Sequence, residues 1–247
     1  MIELTECHST NAFLMALCKE KNLHEGTILI TPNQTDGKGQ RGNIWDAQEN
    51  KNLTLSLLYK PKFLQATAQF DLNIAISLAV FDTLQSFLPA KSVKIKWPND
   101  MLVNFSGSIK KVSGILIENT LKGNFIENSI VGIGINVNQL DFQFPHASSI
   151  AEVIQKTIDL NIVLNTLCEN LEKRYLALMN NHIAKLKIEY LNNLLGFNQE
   201  LNYIKNGEST KGVIVDISSN GQLIMEHDDE VVFYNFKEIS LDYDGPQ

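Results

Sequence analysis

Thr27-Ile28-Leu29-Ile30-Thr31-Pro32-Asn33-Gln34-Thr35-Asp36-Gly37-Lys38-Gly39-Gln40-Arg41-Gly42-Asn43-Ile44-Trp45 is the segment on which the fold turns. Its centre spells G-x-G-x-x-G, the fingerprint of a dinucleotide-binding βαβ unit, which would make the chain a doubly wound parallel sheet. The flanks reject that assignment. The fingerprint must follow its strand directly, open a helix, and meet an acidic residue about 20 positions further on. Here Thr31 to Asp36 separate the apolar run Thr27 to Ile30 from the first glycine. After Gly42, Asn43 to Asn50 is polar and lacks a helical period, and Leu53 to Tyr59 alternates as a strand. No Gly-Lys-Ser or Gly-Lys-Thr follows, so the P-loop pattern fails as well. The segment reads as strand, long glycine-rich loop, strand. Glycines let a backbone approach a ligand with its N–H groups turned inward, and Lys38 and Arg41 add charge where an anion would sit. A surface hairpin rich in glycine accounts for the string equally well.

Outward from the loop, Ser9 or Thr10 caps a helix through Phe13, Leu14 and Leu17. Residues 66 to 88 form the clearest helix, with Phe70, Ile74, Leu78, Phe81 and Leu84 or Leu88 on one face and Pro89 as its stop. Strands are expected at Val93 to Trp97, Gly114 to Asn119 and Ile126 to Val137. Pro98-Asn99-Asp100 makes a turn, and a short Met101-Leu102-Val103 strand leads into a hairpin. Ile162 to Leu195 is helical with a break at Asn180-Asn181, and Gly196 follows its end. The remainder changes character. Glu200 to Ile204, Thr210 to Ser218, Gln222 to Glu226 and Val231 to Phe236 read as short strands, with turns at Asn206-Gly207, Asn220-Gly221 and Asp228-Asp229. The order predicts an α+β fold, with a mostly antiparallel or mixed sheet and helices over 1–195. A small barrel-like β domain over 196–247 follows.

Composition narrows the classes. The 247 residues carry a formal net charge of -7, and the pI of about 5.3 argues against broad nucleic-acid binding. The start, Met1 to Glu6, lacks a basic and apolar leader pattern, and the longest apolar stretch, Ile74 to Phe81, is too short to span a membrane. Cys7, Cys18 and Cys168 have no ligand spacing and cannot all pair, which fits a reduced cytoplasmic setting. The histidines lack His-x-x-x-His spacing, so zinc is not expected. No Gly-x-Ser-x-Gly elbow occurs, and Cys7-His8 would point to opposite faces of an extended segment.

Three further strings carry chemistry. Lys96-Trp97-Pro98-Asn99-Asp100 brings a stacking surface, an amide and a carboxylate to one turn, although a plain Pro-Asn-Asp turn also explains it. In Lys110-Lys111-Val112-Ser113-Gly114-Ile115-Leu116-Ile117-Glu118, two lysines stand at a hairpin, and Lys111 lies at the mouth of an apolar strand, where it suits a phosphate or carboxylate. Glu118 reads as structural. Gly132-Ile133-Gly134-Ile135-Asn136 puts two glycines inside a strand, which means that a neighbour or a ligand packs on the backbone. The loop Phe142-Gln143-Phe144-Pro145 either covers a base or fills the core.

In this order and spacing, the strings resemble the biotin protein ligases, that is, the biotin–[acetyl-CoA-carboxylase] ligases. The family's Ser-Thr-Asn is matched by Ser9-Thr10-Asn11, and its Gly-Arg-Gly-Arg-x-Gly loop followed by Trp by Gly37 to Gly42 and Trp45. Its Lys-Trp-Pro-Asn-Asp stands unchanged at 96–100, Lys-x-x-Gly-Ile-Leu-x-Glu matches Lys111 to Glu118, and Gly-x-Gly-Ile-Asn matches Gly132 to Asn136. The resemblance implies a mixed sheet like that of class II aminoacyl-tRNA synthetases and a C-terminal barrel like an SH3 fold. It implies that ATP and biotin give biotinyl-5′-adenylate and pyrophosphate, and that the adenylate acylates a lysine of a biotin carboxyl carrier domain.

It further implies Lys111, Lys38 and Arg41 as catalytic residues. Ser9, Thr10, Asn11, Gln34, Gly37, Lys38, Gly39, Lys111 and Gly114 would bind biotin. Arg41, Trp45, Lys96, Asn99, Asp100 and Asn136 would bind ATP, with Asp100 a Mg²⁺ ligand. Zinc, NAD, DNA and membrane are not expected: the chain begins almost at the catalytic segment, without the helix-turn-helix arm of the repressor members. Dimerisation through the sheet is a family habit. One departure stands out, since the family's two loop arginines are Lys38 and Gln40 here, while Arg41 stands one position later. A lipoate–protein ligase is the nearest rival, although its paired-arginine, paired-glycine segment is absent. A silent biotin- or nucleotide-binding module is the other.

Overall fold

The computed structural model describes residues 1–227 and 230–242; the Arg41 side chain and the expected Asp228-Asp229 turn lie outside the described residues. Seven strands form the main sheet: β1 (Ile2–Glu3), β2 (Ile28–Ile30), β3 (Leu53–Tyr59), β4 (Val93–Lys96), β5 (Asp100–Phe105), β6 (Ser108–Lys122) and β7 (Phe125–Ile135), in the order β1-β2-β3-β7-β6-β5-β4. β1 and β2 pair in parallel and the other neighbours antiparallel, so the sheet is mixed and the fold α+β. The glycine segment connects β2 to β3 and contains a single 3-10 turn at Gln40–Gly42, not the helix that a dinucleotide fold requires.

Period-two alternation assigns the two faces of this sheet different work. On β3, Leu53, Leu55, Leu57 and Tyr59 enter the large core, whereas Leu58 joins Leu14, Leu29 and Ile130 in a small one. The small core is the footprint of α1 (Thr10–Glu20), which Ser9 caps by accepting the Ala12 N–H. On the opposite face lie α2 (Gln69–Gln85), the one-turn α3 (Ile150–Ile154), α4 (Leu160–Met179) and α5 (Ile183–Asn193). The expected break between α4 and α5 is there, with Asn181 at φ +60. α2 was expected to bury one face; it is wrapped all round, and even Ser77 and Thr83 are fully buried. Arg174 on α4 ties this layer together by pairing with Asp82 on α2 and Glu189 on α5. α1 covers only part of its own face, and the rest of that face is open.

Two expectations need correcting. Ser106 and Gly107, at φ +53 and +78, make the turn between β5 and β6, so β6 begins at Ser108. Lys110 and Lys111 therefore lie inside a strand, not at a hairpin. β8 (Glu200–Lys205), β9 (Glu208–Ile217), β10 (Leu223–His227), β11 (Glu230–Tyr234) and β12 (Ser240–Leu241) form a second, antiparallel sheet. Its order is β11-β10-β9-β8-β12, an open sheet with edges at β11 and β12 among the described residues, not a closed barrel. Among the described residues, no helix is long and apolar enough to cross a membrane.

Candidate functional site

The open half of the α1 face becomes a cleft of about 290 Å³. Its floor is made by glycines. Gly114 on β6 pairs with Gly134 on β7, and Gly132 lies two residues from Gly134. A Cβ at Gly132 would stand 2.4 Å from Asn11 Oδ1, and one at Gly134 would stand 2.3 Å from the Trp45 ring. The glycine spacing thus lays backbone bare where Asn11 and Trp45 pack on it. The glycine loop folds over this floor, closed at its base by the Trp45 N–H donating to the Gly37 carbonyl at 2.9 Å. A Cβ at Gly37 would be 2.3 Å from the Trp45 carbonyl oxygen, so only glycine lets the loop cross there.

Lys111 reaches the cleft through a bulge. Asp100 pairs with Gly114 and Met101 with Ser113, but Leu102 pairs with Lys111, leaving Val112 as an extra residue. Without the bulge, alternation would send Lys111 to the helix-covered face; with it, Lys111 joins Gly114 and Asp100 on the cleft side. The Lys111 backbone is clamped, its N–H donating to the His146 carbonyl at 2.6 Å and its own carbonyl accepting the Ser148 N–H at 2.9 Å. Lys111 Nζ lies 2.6 Å from Asp100 Oδ1 and 5.7 Å from the Trp45 ring centroid. Lys96 Nζ reaches the other Asp100 oxygen at 3.6 Å. The described lining residues include four lysines, Lys38, Lys96, Lys111 and Lys237, and one carboxylate, Asp100. Lys96 and Lys111 pair with that carboxylate, while Lys38 Nζ lies 3.8 Å from Asp36 outside the lining. A chain of net charge -7 has inverted its sign in this one cleft.

The other end of the cleft is polar and neutral. Ser9, Thr10, Asn11, Gln34 and Thr54 line it. Gln34 Oε1 accepts the Thr10 N–H at 2.8 Å, which fixes the amide with Nε2 toward Gly37. The structure therefore gathers Ser9, Thr10, Asn11, Gln34, Lys38, Gly39, Trp45, Lys96, Asn99, Asp100, Lys111 and Gly114 around one space.

Two expected residues stand elsewhere, and Trp97 has different work. Gly37 is buried at the loop base. Asn136 is 4 % exposed and does not line the cleft, because β7 ends at Ile135 and the side chain turns to donate to the Ser148 carbonyl at 2.9 Å. Trp97, read as a stacking surface, is committed to the second sheet: its Nε1 donates to the Gly221 carbonyl at 3.0 Å and its ring lies 5.1 Å from that of Phe236. Asn99 is buried and donates to the Ile115 carbonyl, tying the turn to β6. Phe142 and Phe144 do not line the cleft.

Residues that sequence reasoning passed over also line it. Tyr203, Ile214, Leu223, Phe236, Ile239 and Leu241 of the second sheet wall its far side, with no motif to announce them. Burial pushes the Tyr203 phenol up, which keeps its hydroxyl protonated. Burial, and then Glu6, also push up the Cys7 thiol beside the polar end, while a Thr31 hydrogen bond opposes them.

Mg²⁺ prefers an octahedron of oxygens. Asp100 offers one carboxylate, already compensated by two ammonium groups, and no group of three His, Cys, Asp or Glu gathers among the described residues. The protein residues alone do not fit a metal cage.

The chain belongs to the biotin/lipoate A/B protein ligase family, whose model matches residues 4–136. The bifunctional ligase/repressor BirA of Bacillus subtilis is 30% identical over 213 residues, 83% of this chain and 63% of that protein. The chain thus spans less than two thirds of that relative. The biotin--[acetyl-CoA-carboxylase] ligase of Mycobacterium tuberculosis is 28% identical over 88% of this chain and 80% of its own length. Among solved structures, the biotin protein ligase from Aquifex aeolicus in complex with biotin and ATP superposes with a TM-score of 0.78 at 28% identity, covering 98% of both chains.

Proposed function

We propose that this chain activates biotin with ATP, forming biotinyl-5′-adenylate and pyrophosphate, and then passes the biotinyl group to a lysine of a biotin carboxyl carrier domain, such as that of acetyl-CoA carboxylase. The charge inversion in the cleft carries this reading. Joining a carboxylate to a phosphate forces two anions together, and fixed cations beside bare backbone offset that repulsion. The names of the relatives, and the biotin and ATP held by the Aquifex aeolicus enzyme, support the same substrates.

In this reading Lys111 leaves Asp100 to bridge the biotin carboxylate and the α-phosphate, with Gly114 allowing both close approach. Ser9, Thr10 and Gln34 take the ureido end. Lys38, Gly39 and Arg41 fold over the adenylate, where excluding water matters because a mixed anhydride hydrolyses. Trp45, Lys96, Asn99 and Asp100 attend the nucleotide. Asn136 serves from behind, by holding the Ser148 backbone that clamps Lys111. Mg²⁺ would enter on the nucleotide's phosphates and waters, supplying charge neutralisation there. Residues 1–195 would carry the chemistry, 196–247 would wall the nucleotide end, and the enzyme would work in the cytoplasm, as a dimer if it follows the family.

The test is pyrophosphate exchange into ATP with biotin, lipoate or neither. Biotin-stimulated exchange is expected. Stimulation by lipoate alone would make this a lipoate ligase, and no exchange with either acid would leave a silent binding module.

A further inference from the structure

Behind the neutral end of the cleft runs a chain of buried polar groups, and its proton directions can be worked out. Asn11 Nδ2 lies 2.9 Å from Glu118 Oε2 and 3.2 Å from the Leu116 carbonyl oxygen. Both are acceptors only, so the amide must turn its NH₂ toward them and its oxygen toward Ser56. Ser56 Oγ is 2.6 Å from Asn11 Oδ1, which has no proton to give, so the Ser56 hydroxyl donates there. Ser56 has then spent its one proton. Its 2.8 Å contact with Thr10 Oγ1 must be a bond donated by Thr10. Thr10 has spent its proton too, and its 3.2 Å approach to Gln34 Oε1 is no donated bond. Thr10 therefore presents a lone pair to the cleft, beside the Gln34 NH₂.

We infer that Glu118, which does not line the cleft, is a positioning residue that makes Thr10 a hydrogen-bond acceptor, through Asn11 and Ser56. The inference rests on the biotin reading above. An acceptor beside a donor matches one edge of a cyclic urea, which offers an N–H next to a C=O. Reversing the relay would make Thr10 a donor and set it against the urea N–H. The relay is held in place because Asn11 is 3 % exposed, Ser56 is fully buried, and the Asn11 amide packs directly on the bare backbone of Gly132. Asn11 thus acts behind the ligand, with its polar atoms already engaged.

The experiment is titration calorimetry of biotin and, separately, ATP on the full chain, with thermal melts for every variant. Glu118→Ala leaves the longer 3.2 Å contact with the Leu116 carbonyl as the remaining hold on the Asn11 NH₂. The amide is then less firmly oriented, and biotin affinity should fall severalfold with ATP affinity unmoved. Glu118→Gln keeps an acceptor and should bind near the wild-type value. Asn11→Asp places two carboxylates together and should bind weakly. The double variant Asn11→Asp with Glu118→Gln restores one donor and one acceptor at that contact while leaving a carboxylate oxygen against the Leu116 carbonyl. It should bind biotin better than Asn11→Asp without reaching the wild-type value. Wild-type biotin affinity in Glu118→Ala overturns the inference, as does a double variant no better than Asn11→Asp. A wild-type protein that takes up no biotin defeats the underlying reading and the inference with it, and that outcome is separate because it appears before any substitution.

Discussion

Gly134→Ala sets a methyl group into the space that the Trp45 ring fills. The new Cβ would stand 2.3 Å from Trp45 Cε2 and 2.4 Å from Cζ2, so the ring must retreat by about 1.2 Å to reach ordinary carbon contact. Gly134 is not among the left-handed positions, so alanine brings no backbone strain. The glycine loop carries Trp45 and can yield, and the strand gains on the order of 0.5 kcal/mol from losing a glycine. The melting temperature should therefore move by no more than a few degrees, while Trp45 leaves the floor. Gly132→Ala is the control: its Cβ would meet Asn11 Oδ1 at 2.4 Å, and Asn11 is locked to Ser56 and Glu118. Overpacking that buried network should cost about 2 to 3 kcal/mol, roughly 5 to 10 °C for a chain of this length. Acrylamide quenching reads the loop, because the chain has 2 tryptophans and Trp97 is 8 % exposed. Quenching should rise in Gly134→Ala and stay near wild type in Gly132→Ala. Equal destabilisation by both, or unchanged quenching in Gly134→Ala, refutes the packing of Trp45 on the glycine floor.

Gln40→Arg adds a third loop cation beside Lys38 and Arg41; release or hydrolysis of the bound adenylate in the absence of acceptor should slow several-fold, measured as uncoupled AMP production. Arg174→Ala leaves Asp82 and Glu189 facing each other and should cost on the order of 3 kcal/mol, read by chemical denaturation, with the exchange rate per folded molecule unchanged. Burial pushes up the thiols of Cys7, Cys18 and Cys168. Little thiolate is present near pH 7.5, so native iodoacetamide labelling should be slower than that of a free thiol and should quicken as pH rises. A cysteine labelled at once at neutral pH would contradict that account.

Much of this architecture could be read where residue type alone decides it. The polar, helix-breaking flanks of Gly37 to Gly42 excluded the dinucleotide fold, and a single 3-10 turn stands there. Gly132 and Gly134 were read as a close approach to backbone, and Asn11 and Trp45 make it. What escaped depends on pairing between distant segments. The extra residue at Val112 is visible only once β5 and β6 are in register, yet it decides which face Lys111 serves. Trp97 is an apolar residue in a polar motif, and nothing local says that its partner is Gly221. β1, at two residues, carries too little pattern to find. The second-sheet residues that wall the cleft reach it by packing between sheets, which no motif records.

The most direct measurement is biotin-dependent pyrophosphate exchange in Lys111→Ala. The Lys111–Asp100 pair is partly exposed, at 35% and 17%, and Lys96 remains at 3.6 Å to compensate Asp100. The melting temperature should therefore hold within a few degrees. Losing a cation aimed at the joining carboxylate and phosphate should cut exchange by at least about a hundredfold. Exchange at the wild-type rate in a folded Lys111→Ala protein would contradict the account, because the charge-inverted cleft would then not be where the anions are joined.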